Sequence, residues 1–303
     1  MMTVPPKRVK IVEVGARDGL QNEKLPVSTK DKFTFIKKLA EAGHKYIELT
    51  SFVRPDAIAQ LADAEALVQM VSAHNFSPDI RFSALVPNLK GLEKAQALGV
   101  REIAVFVATS NAFSQRNINA TVTESFERLK PVAKQALDAG IRVRGYLSTV
   151  FGCPYEGEIA VSQVVDGCKR LEDLGVYEIS LGDTTGVATP MQVQMVLDVL
   201  LATINPYQLA MHFHDTRGMA VANTLAALDM GIVNYDASAG GLGGCPYAKG
   251  ASGNVATEDL VYLFDSMQVQ TGIDLQKLIS ASQFMLQKLG IESPSKVHRV
   301  FAQ

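Results

Sequence analysis

Gln135-Ala136-Leu137-Asp138-Ala139-Gly140-Ile141-Arg142-Val143-Arg144-Gly145-Tyr146-Leu147-Ser148-Thr149 reads as the end of a helix, a stop, and a β-strand. The residues before it, from Val122, carry apolar side chains near the helical period, and Arg142–Thr149 is strand-like. Gly140 sits where a helix closes in the left-handed conformation that glycine adopts without steric cost. The same phrase returns at Glu41-Ala42-Gly43, Ala97-Leu98-Gly99, Asp173-Leu174-Gly175 and Asp229-Met230-Gly231, each time ahead of a strand-like run.

Working outward from that unit, strands are expected at Val9–Val14, Tyr46–Phe52, Ile80–Val86, Glu102–Ala108, Arg142–Thr149, Glu178–Asp183, Gln208–Asp215 and Tyr235–Gly241. Helical spacing marks Asp31–Ala42, Ala57–Ser72, Val122–Ala139, Val161–Leu174 and Thr189–Ile204. Eight strand–helix units of roughly thirty residues each suit an α/β fold, the (β/α)8 TIM barrel. An open doubly wound sheet is the rival, but Gly15 and Gly19 lack the GxGxxG spacing of a dinucleotide loop. Helical stretches at Thr257–Gln270 and Leu275–Leu289 follow the eighth strand. The expectation is a single catalytic domain over residues 1–303, with the barrel at about 9–254 and a C-terminal helical extension at about 255–303.

The chain has 303 residues, 47% hydrophobic and 20% charged, enough for one large core. A formal charge of −2 gives no electrostatic case for nucleic acid or an anionic membrane. No run is long and apolar enough to span a membrane, and Met1–Lys10 lacks the apolar stretch of a signal peptide. Cys153, Cys168 and Cys245 are too few and too scattered for a disulfide framework or a structural zinc site. A cytoplasmic protein is expected.

A barrel gathers its functional residues at the C-terminal ends of its strands. Arg17 and Asp18 follow strand one; Glu48, Thr50 and Ser51 lie in or at the end of strand two. Asp183 and Thr184 end strand six, His212 and His214 lie near the end of strand seven, and Asn254 follows strand eight. Ser51 and Thr184 are placed to touch substrate. A lone histidine would read as a core residue bonded to a carboxylate. Two on one strand face, with Asp18 free in the first loop, read as metal ligands. Nitrogen and oxygen donors without thiolate suit Mg, Mn, Co or Zn, and open coordination favours Mg or Mn. Arg17 beside Asp18 is either a surface ion pair of little worth or, next to a bound cation, a partner for an oxyanion. Glu48 must point inward, as an anchor for Arg17 or as a catalytic group. Asp183 reads as an inward acid. His44, His74 and His298 read as surface or helix-end residues, and Arg116 as a solvated loop arginine. Cys153 and Cys168 read as structural thiols. Cys245 lies in the glycine-rich segment from Gly240 to Asn254, which reads as a mobile lid. Among those glycines its thiol suits acid–base or redox work.

Three segments together resemble the hydroxymethylglutaryl-CoA lyases: Glu13-Val14-Gly15-Ala16-Arg17-Asp18-Gly19-Leu20-Gln21-Asn22-Glu23, His212-Phe213-His214-Asp215-Thr216, and Gly241-Leu242-Gly243-Gly244-Cys245-Pro246-Tyr247-Ala248 with Gly250-Ala251-Ser252-Gly253-Asn254. The first two are shared with a wider superfamily of metal-dependent Claisen and aldol enzymes, including isopropylmalate and homocitrate synthases; the third marks the lyases. The resemblance implies a TIM barrel, often dimeric, that cleaves 3-hydroxy-3-methylglutaryl-CoA to acetyl-CoA and acetoacetate in leucine catabolism. It implies Asp18, His212, His214 and Asn254 as ligands of Mg or Mn, Arg17 on the thioester oxygen and Cys245 as the loop cysteine. Glu48, Asp183 and Gln21 fall at family active-site positions. The chain departs from the pattern at Ala16, at Asp56-Ala57 and at Arg217, where proline, lysine-tryptophan and tyrosine are usual. Alternatives are a lyase for a longer-chain 3-hydroxyglutaryl-CoA of isoprenoid breakdown, an acyl-CoA-condensing synthase of the superfamily, and a non-catalytic metal-binding barrel.

Overall fold

The computed structural model describes residues 6–243 and 253–302. Eight parallel strands close into a barrel in chain order: β1 Lys10–Glu13, β2 Tyr46–Ser51, β3 Arg81–Leu85, β4 Glu102–Ala108, β5 Arg142–Ser148, β6 Glu178–Asp183, β7 Leu209–Phe213 and β8 Asn234–Ala237. The ring is completed by β8 against β1, in register from Lys10↔Asn234 to Glu13↔Ala237. This is the TIM barrel that the glycine-stopped units lead one to expect. The five recurrent glycines all have positive φ, from +73° at Gly140 to +107° at Gly43. Only the eighth strand differs much from its expected bounds. It stops at Ala237, because Gly240 and Gly241, at φ +71° and +65°, turn the chain into a short 3-10 segment.

The helices are α1 Thr29–Glu41, α2 Ala64–Ala73, α3 Leu89–Ala97, α4 Asn111–Ile118, α5 Val122–Asp138, α6 Val161–Asp173, α7 Pro190–Leu200, α8 Ala220–Asp229, α9 Thr257–Ser266, α10 Leu275–Leu289 and α11 Lys296–Phe301. Local chemistry fixes their starts. Thr121 and Glu124 form a reciprocal cap on α5, and Thr189 and Gln192 do so on α7, where Pro190 takes the first turn. The helices α3, α4 and α11 carry too few turns for the spacing to announce them; α8, as long as α2, is not among the expected stretches either. Arg116 therefore lies on α4 and not in a loop; it is exposed, with its guanidinium 4.2 Å from the Tyr155 ring centre.

Outward-facing strand residues such as Ile47, Leu49, Val105, Val143, Ile179 and Leu181 are buried under the helices. Each such side chain contributes about 1.5–3 kcal/mol. The inward positions of several strands are charged instead, and they carry the site.

The extension α9–α11 packs back on the barrel through Leu260, Phe264, Leu278, Met285 and Leu286. It explains two corrections. His44 and His298, expected at the surface or a helix end, are buried; His74 is exposed. The approach to α10 covers the α1–β2 turn: the Asp274 amide donates to the Ala42 carbonyl (2.8 Å), and a Cβ on Gly43 would meet the Gly272 carbonyl oxygen at 2.3 Å. His44 beneath it makes no side-chain hydrogen bond among the described residues, and burial pushes its imidazole down to about 3.

Glu258 on α9 is fully buried, its carboxylate accepting from the Gly240 amide (2.8 and 2.9 Å). Burial raises its carboxyl to about 8, against the opposing pull of Ser282 and the Gly240 amide. A folded-state value above the unfolded one means stability that is present at low pH and lost as pH rises through that value. Glu258→Gln, which fixes the neutral form, should therefore melt at a temperature that holds up better than the wild type's as pH rises from 4.5 to about 8. Thermal scans across that range that ran parallel would remove Glu258 from the alkaline loss.

Candidate active site

After β1 the chain makes a wide turn over Gly15–Gly19, in which the Gly19 amide reaches back to the Val14 carbonyl (3.1 Å). Such five-residue turns recur at functional sites. Here the turn delivers Arg17 and Asp18 side by side to the barrel mouth. The last loop closes against it. Gly243 has φ +106°, and a Cβ there would meet the Asn254 amide nitrogen at 2.7 Å and the Gly19 Cα at 3.2 Å. Asn254 in turn donates from Nδ2 to Asp18 Oδ2 (2.9 Å) and to the Leu242 carbonyl (3.2 Å).

Asp18, His212 and His214 offer ligand atoms that all lie within 4.8 Å of one another. The two imidazoles face each other, Nε2 to Nε2, at 3.3 Å, and His212 Nε2 is 3.8 Å from Asp18 Oδ2. A carboxylate and two imidazole nitrogens converging on one point fit a divalent cation. Burial opposes the charged form of Asp18, but Arg17, His212 and His214 outweigh it and hold its carboxyl below the usual carboxylate value. His214 is driven down to about 4 by burial and by His212. For His212 burial is overcome by its hydrogen bond to Asp236 and by Asp18, so its imidazole is raised.

Arg17 is no surface pair. It is buried, donates from Nε to Glu48 Oε1 and from Nη1 to Asp18 Oδ1, and lies 5.3 Å from the Tyr146 ring centre. Glu48 points inward as expected and also accepts from the Tyr146 hydroxyl (2.8 Å). Gln21 donates to Asp18 Oδ1 (2.8 Å), so it stands beside the same carboxylate. Ser51 is buried with no hydrogen-bond partner for its hydroxyl among the described residues, and Thr184 Oγ1 accepts from the Thr149 amide (2.9 Å).

Asp183 needs correction. It lies on the opposite parity of β6 from the inward Glu178 and Ser180, and it is not an inward acid. Its two oxygens accept from the amides of Val187 (2.9 Å) and Ala188 (3.1 Å) in its own loop. Burial raises its carboxyl to about 6 against those two donors, and the charge of His212 still acts on it. Cys153 is buried, its Sγ 2.9 Å from the Ser110 hydroxyl, and Cys168 is buried in α6. Cys245 and the expected lid around it lie outside the described residues.

Three residues escaped the sequence reading. Arg144 and Tyr146 on β5 and Asp236 on β8 are buried in the barrel. Arg144 donates to Asp236 (2.7 Å from Nη2), to Glu178 (2.8 Å) and to the Tyr146 hydroxyl (2.9 Å). The signal was present: polar residues at every second position, Arg142-x-Arg144-x-Tyr146-x-Ser148, inside an otherwise apolar strand run.

Comparison with known proteins decides the lineage. A family model described as HMGL-like matches residues 8–285. The mitochondrial hydroxymethylglutaryl-CoA lyase of Macaca fascicularis is 49% identical over 296 residues, which cover 98% of this chain and 90% of that protein. The chain belongs to the hydroxymethylglutaryl-CoA lyase family. The Bacillus subtilis HMG-CoA lyase structure superposes with a TM-score of 0.96 at 47% identity, over 99% of this chain and all of that one. An Acinetobacter baumannii HMG-CoA lyase, solved in complex with coenzyme A and 3-methylmalate, gives 0.91 at 38% identity, over 97% of this chain and 95% of that one.

Removing a donor from the cluster should cost metal. His214→Ala is expected to weaken manganese binding by at least about tenfold, since loss of outer partners alone costs 10–100-fold. Titration of free manganese by electron paramagnetic resonance reads it, and unchanged affinity would refute ligation by His214.

Proposed function

We propose that this chain cleaves 3-hydroxy-3-methylglutaryl-CoA to acetyl-CoA and acetoacetate. The observation that carries the reading is the meeting of Arg17 with the Asp18–His212–His214 cluster at one barrel mouth, on a chain that follows named lyases along nearly its whole length. The coenzyme A in the related Acinetobacter structure supports an acyl-CoA ligand.

A divalent ion, Mg or Mn, held by Asp18, His212, His214 and Asn254 would acidify the tertiary alcohol and fix its orientation. The remaining work falls to the protein. The alcohol proton passes to His212 or to Asp183, whose carboxylate would have to turn from its loop amides to receive it. The C2–C3 bond then breaks: its electron pair stays with C2, the carbon next to the thioester, and spreads onto the thioester oxygen as the acetyl-CoA enolate, while the alkoxide carbon becomes the ketone of acetoacetate. Arg17 stabilises the enolate oxygen, where charge develops. Glu48 holds Arg17 in place. Cys245, assigned from the sequence motif, returns a proton to the carbanion carbon. Gln21, Ser51 and Thr184 are read as substrate contacts, Ser51 through its unpaired hydroxyl. We read the chain as one catalytic domain that works as a cytoplasmic homodimer in leucine degradation.

The test is direct. Purified protein given hydroxymethylglutaryl-CoA should release acetoacetate with magnesium or manganese and stop when a chelator is added. Arg17→Met should lower kcat by about 10²–10³-fold, the usual cost of one oxyanion donor, while manganese is bound at least as tightly as by the wild type, because the charge removed is positive and lies beside Asp18. A near-normal rate would take Arg17 out of the chemistry, and turnover indifferent to chelator would take out the metal.

A further inference from the structure

Among the buried acids that the roles assigned above leave unused, Asp236 is the one that touches His212. Asp236 lies on β8 with its carboxylate 3.2 Å from His212 Nδ1, the ring nitrogen that faces away from Asp18 and His214. We propose that Asp236 is a positioning residue that fixes the tautomer of His212, keeping the proton on Nδ1 so that the Nε2 lone pair faces the Asp18–His214 cluster. The proposal rests on reading that cluster as a metal centre.

The direction of every hydrogen bond around Asp236 is set. Arg144 can only donate, and it does so from Nη2 to Oδ1 (2.7 Å) and from Nη1 to Oδ2 (3.3 Å). The Ser180 hydroxyl lies 2.7 Å from Oδ2 and has only an acceptor to face there. An ionised carboxylate offers His212 no proton, so Nδ1 must supply it. Arg144 itself has no freedom to move away. Glu178 takes its Nε, and the Tyr146 hydroxyl accepts from Nη1 while donating to Glu48. Donors therefore meet the Asp236 carboxylate from both sides, Arg144 and Ser180 from the barrel interior and His212 from the site. His214 is the internal contrast. Its Nδ1 is buried with no hydrogen-bond partner among the described residues, so nothing there selects a tautomer. Of the two imidazoles, His212 is set in advance and His214 is set by what binds.

The experiment uses the full chain labelled with nitrogen-15 histidine. Long-range nitrogen–proton spectra of the metal-free wild type, taken above the titration of His212, should show the His212 proton on Nδ1. Asp236→Asn, whose amide can also donate, should broaden or split that signal and weaken manganese binding by about 10–100-fold, the cost of losing an outer partner of a ligating histidine. A wild-type proton on Nε2, or an Asp236→Asn protein that binds manganese as tightly as the wild type, would overturn the proposal. If Asp236→Asn does not fold, the wild-type spectrum decides alone. A wild type that binds no manganese would sink the metal reading instead, and the metal-free spectrum would still report the tautomer.

Discussion

The pairing of Arg144 with Asp236 across the barrel axis is the interaction on which the site depends. Both side chains are buried, at 2% exposure each, and an ion so placed is tolerated only when its hydrogen bonds are met. They are met in a circuit. Lys10 pairs with Glu178, Glu178 with Arg144 and Arg144 with Asp236; higher up, Glu48 pairs with Arg17 and Arg17 with Asp18. Tyr146 joins the two halves through Arg144 and Glu48. Removing one member would strand a buried charge, at about 3–5 kcal/mol. Cooperative networks of this kind rigidify what they touch, and what this one touches is Arg17, Asp18 and His212.

The charges in that circuit also say what the site wants. The lower group, Lys10, Glu178, Arg144 and Asp236, balances. The upper group holds Arg17 against Glu48 and Asp18, and so carries one negative charge in excess. That excess falls on the carboxylate that faces the two imidazoles. A buried surplus of that sign beside two imidazole rings suits a cation. A cation held there would answer to the charge balance of the barrel interior as well as to Asp18, His212 and His214.

Much of this was legible from residues alone, for reasons that are local. Gly140 and its four counterparts announce helix ends because only glycine closes them cheaply, so the repeat count and the barrel followed. His212 and His214 share a strand face by parity, which made the pair readable as ligands. Arg144 and Asp236 were not read, although their parity was as plain. Nothing near them in sequence resembled a motif, and a charged residue in a strand suggests solvent until its partner is known. That partner lies 92 residues away. Asp183 was misjudged because parity was not counted through to the strand's last residue. His44 was misjudged because its burial is imposed by Gly272 and Asp274, from a segment the strand–helix repeat does not include.

The two ends of the active site meet for a reason that also escapes local reading. Glu13 points out of the barrel, away from substrate. Its Oε1 accepts from the amides of Gly15 (2.8 Å) and Ala239 (2.9 Å), and its Oε2 from the Thr257 hydroxyl (2.7 Å). One buried carboxylate therefore ties the start of the Arg17–Asp18 turn to the chain leaving β8 and to the first residue of α9. Gly15 leaves no slack, since a Cβ there would meet Glu13 Oε1 at 2.6 Å. Across 236 residues of sequence, Asn254 then reaches Asp18. Closure of β8 on β1 brings the two loops near each other, but the hydrogen-bond direction at Glu13 sets how they sit. The extension, by supplying Thr257 and by covering this acid, is part of the machinery that keeps the mouth in register.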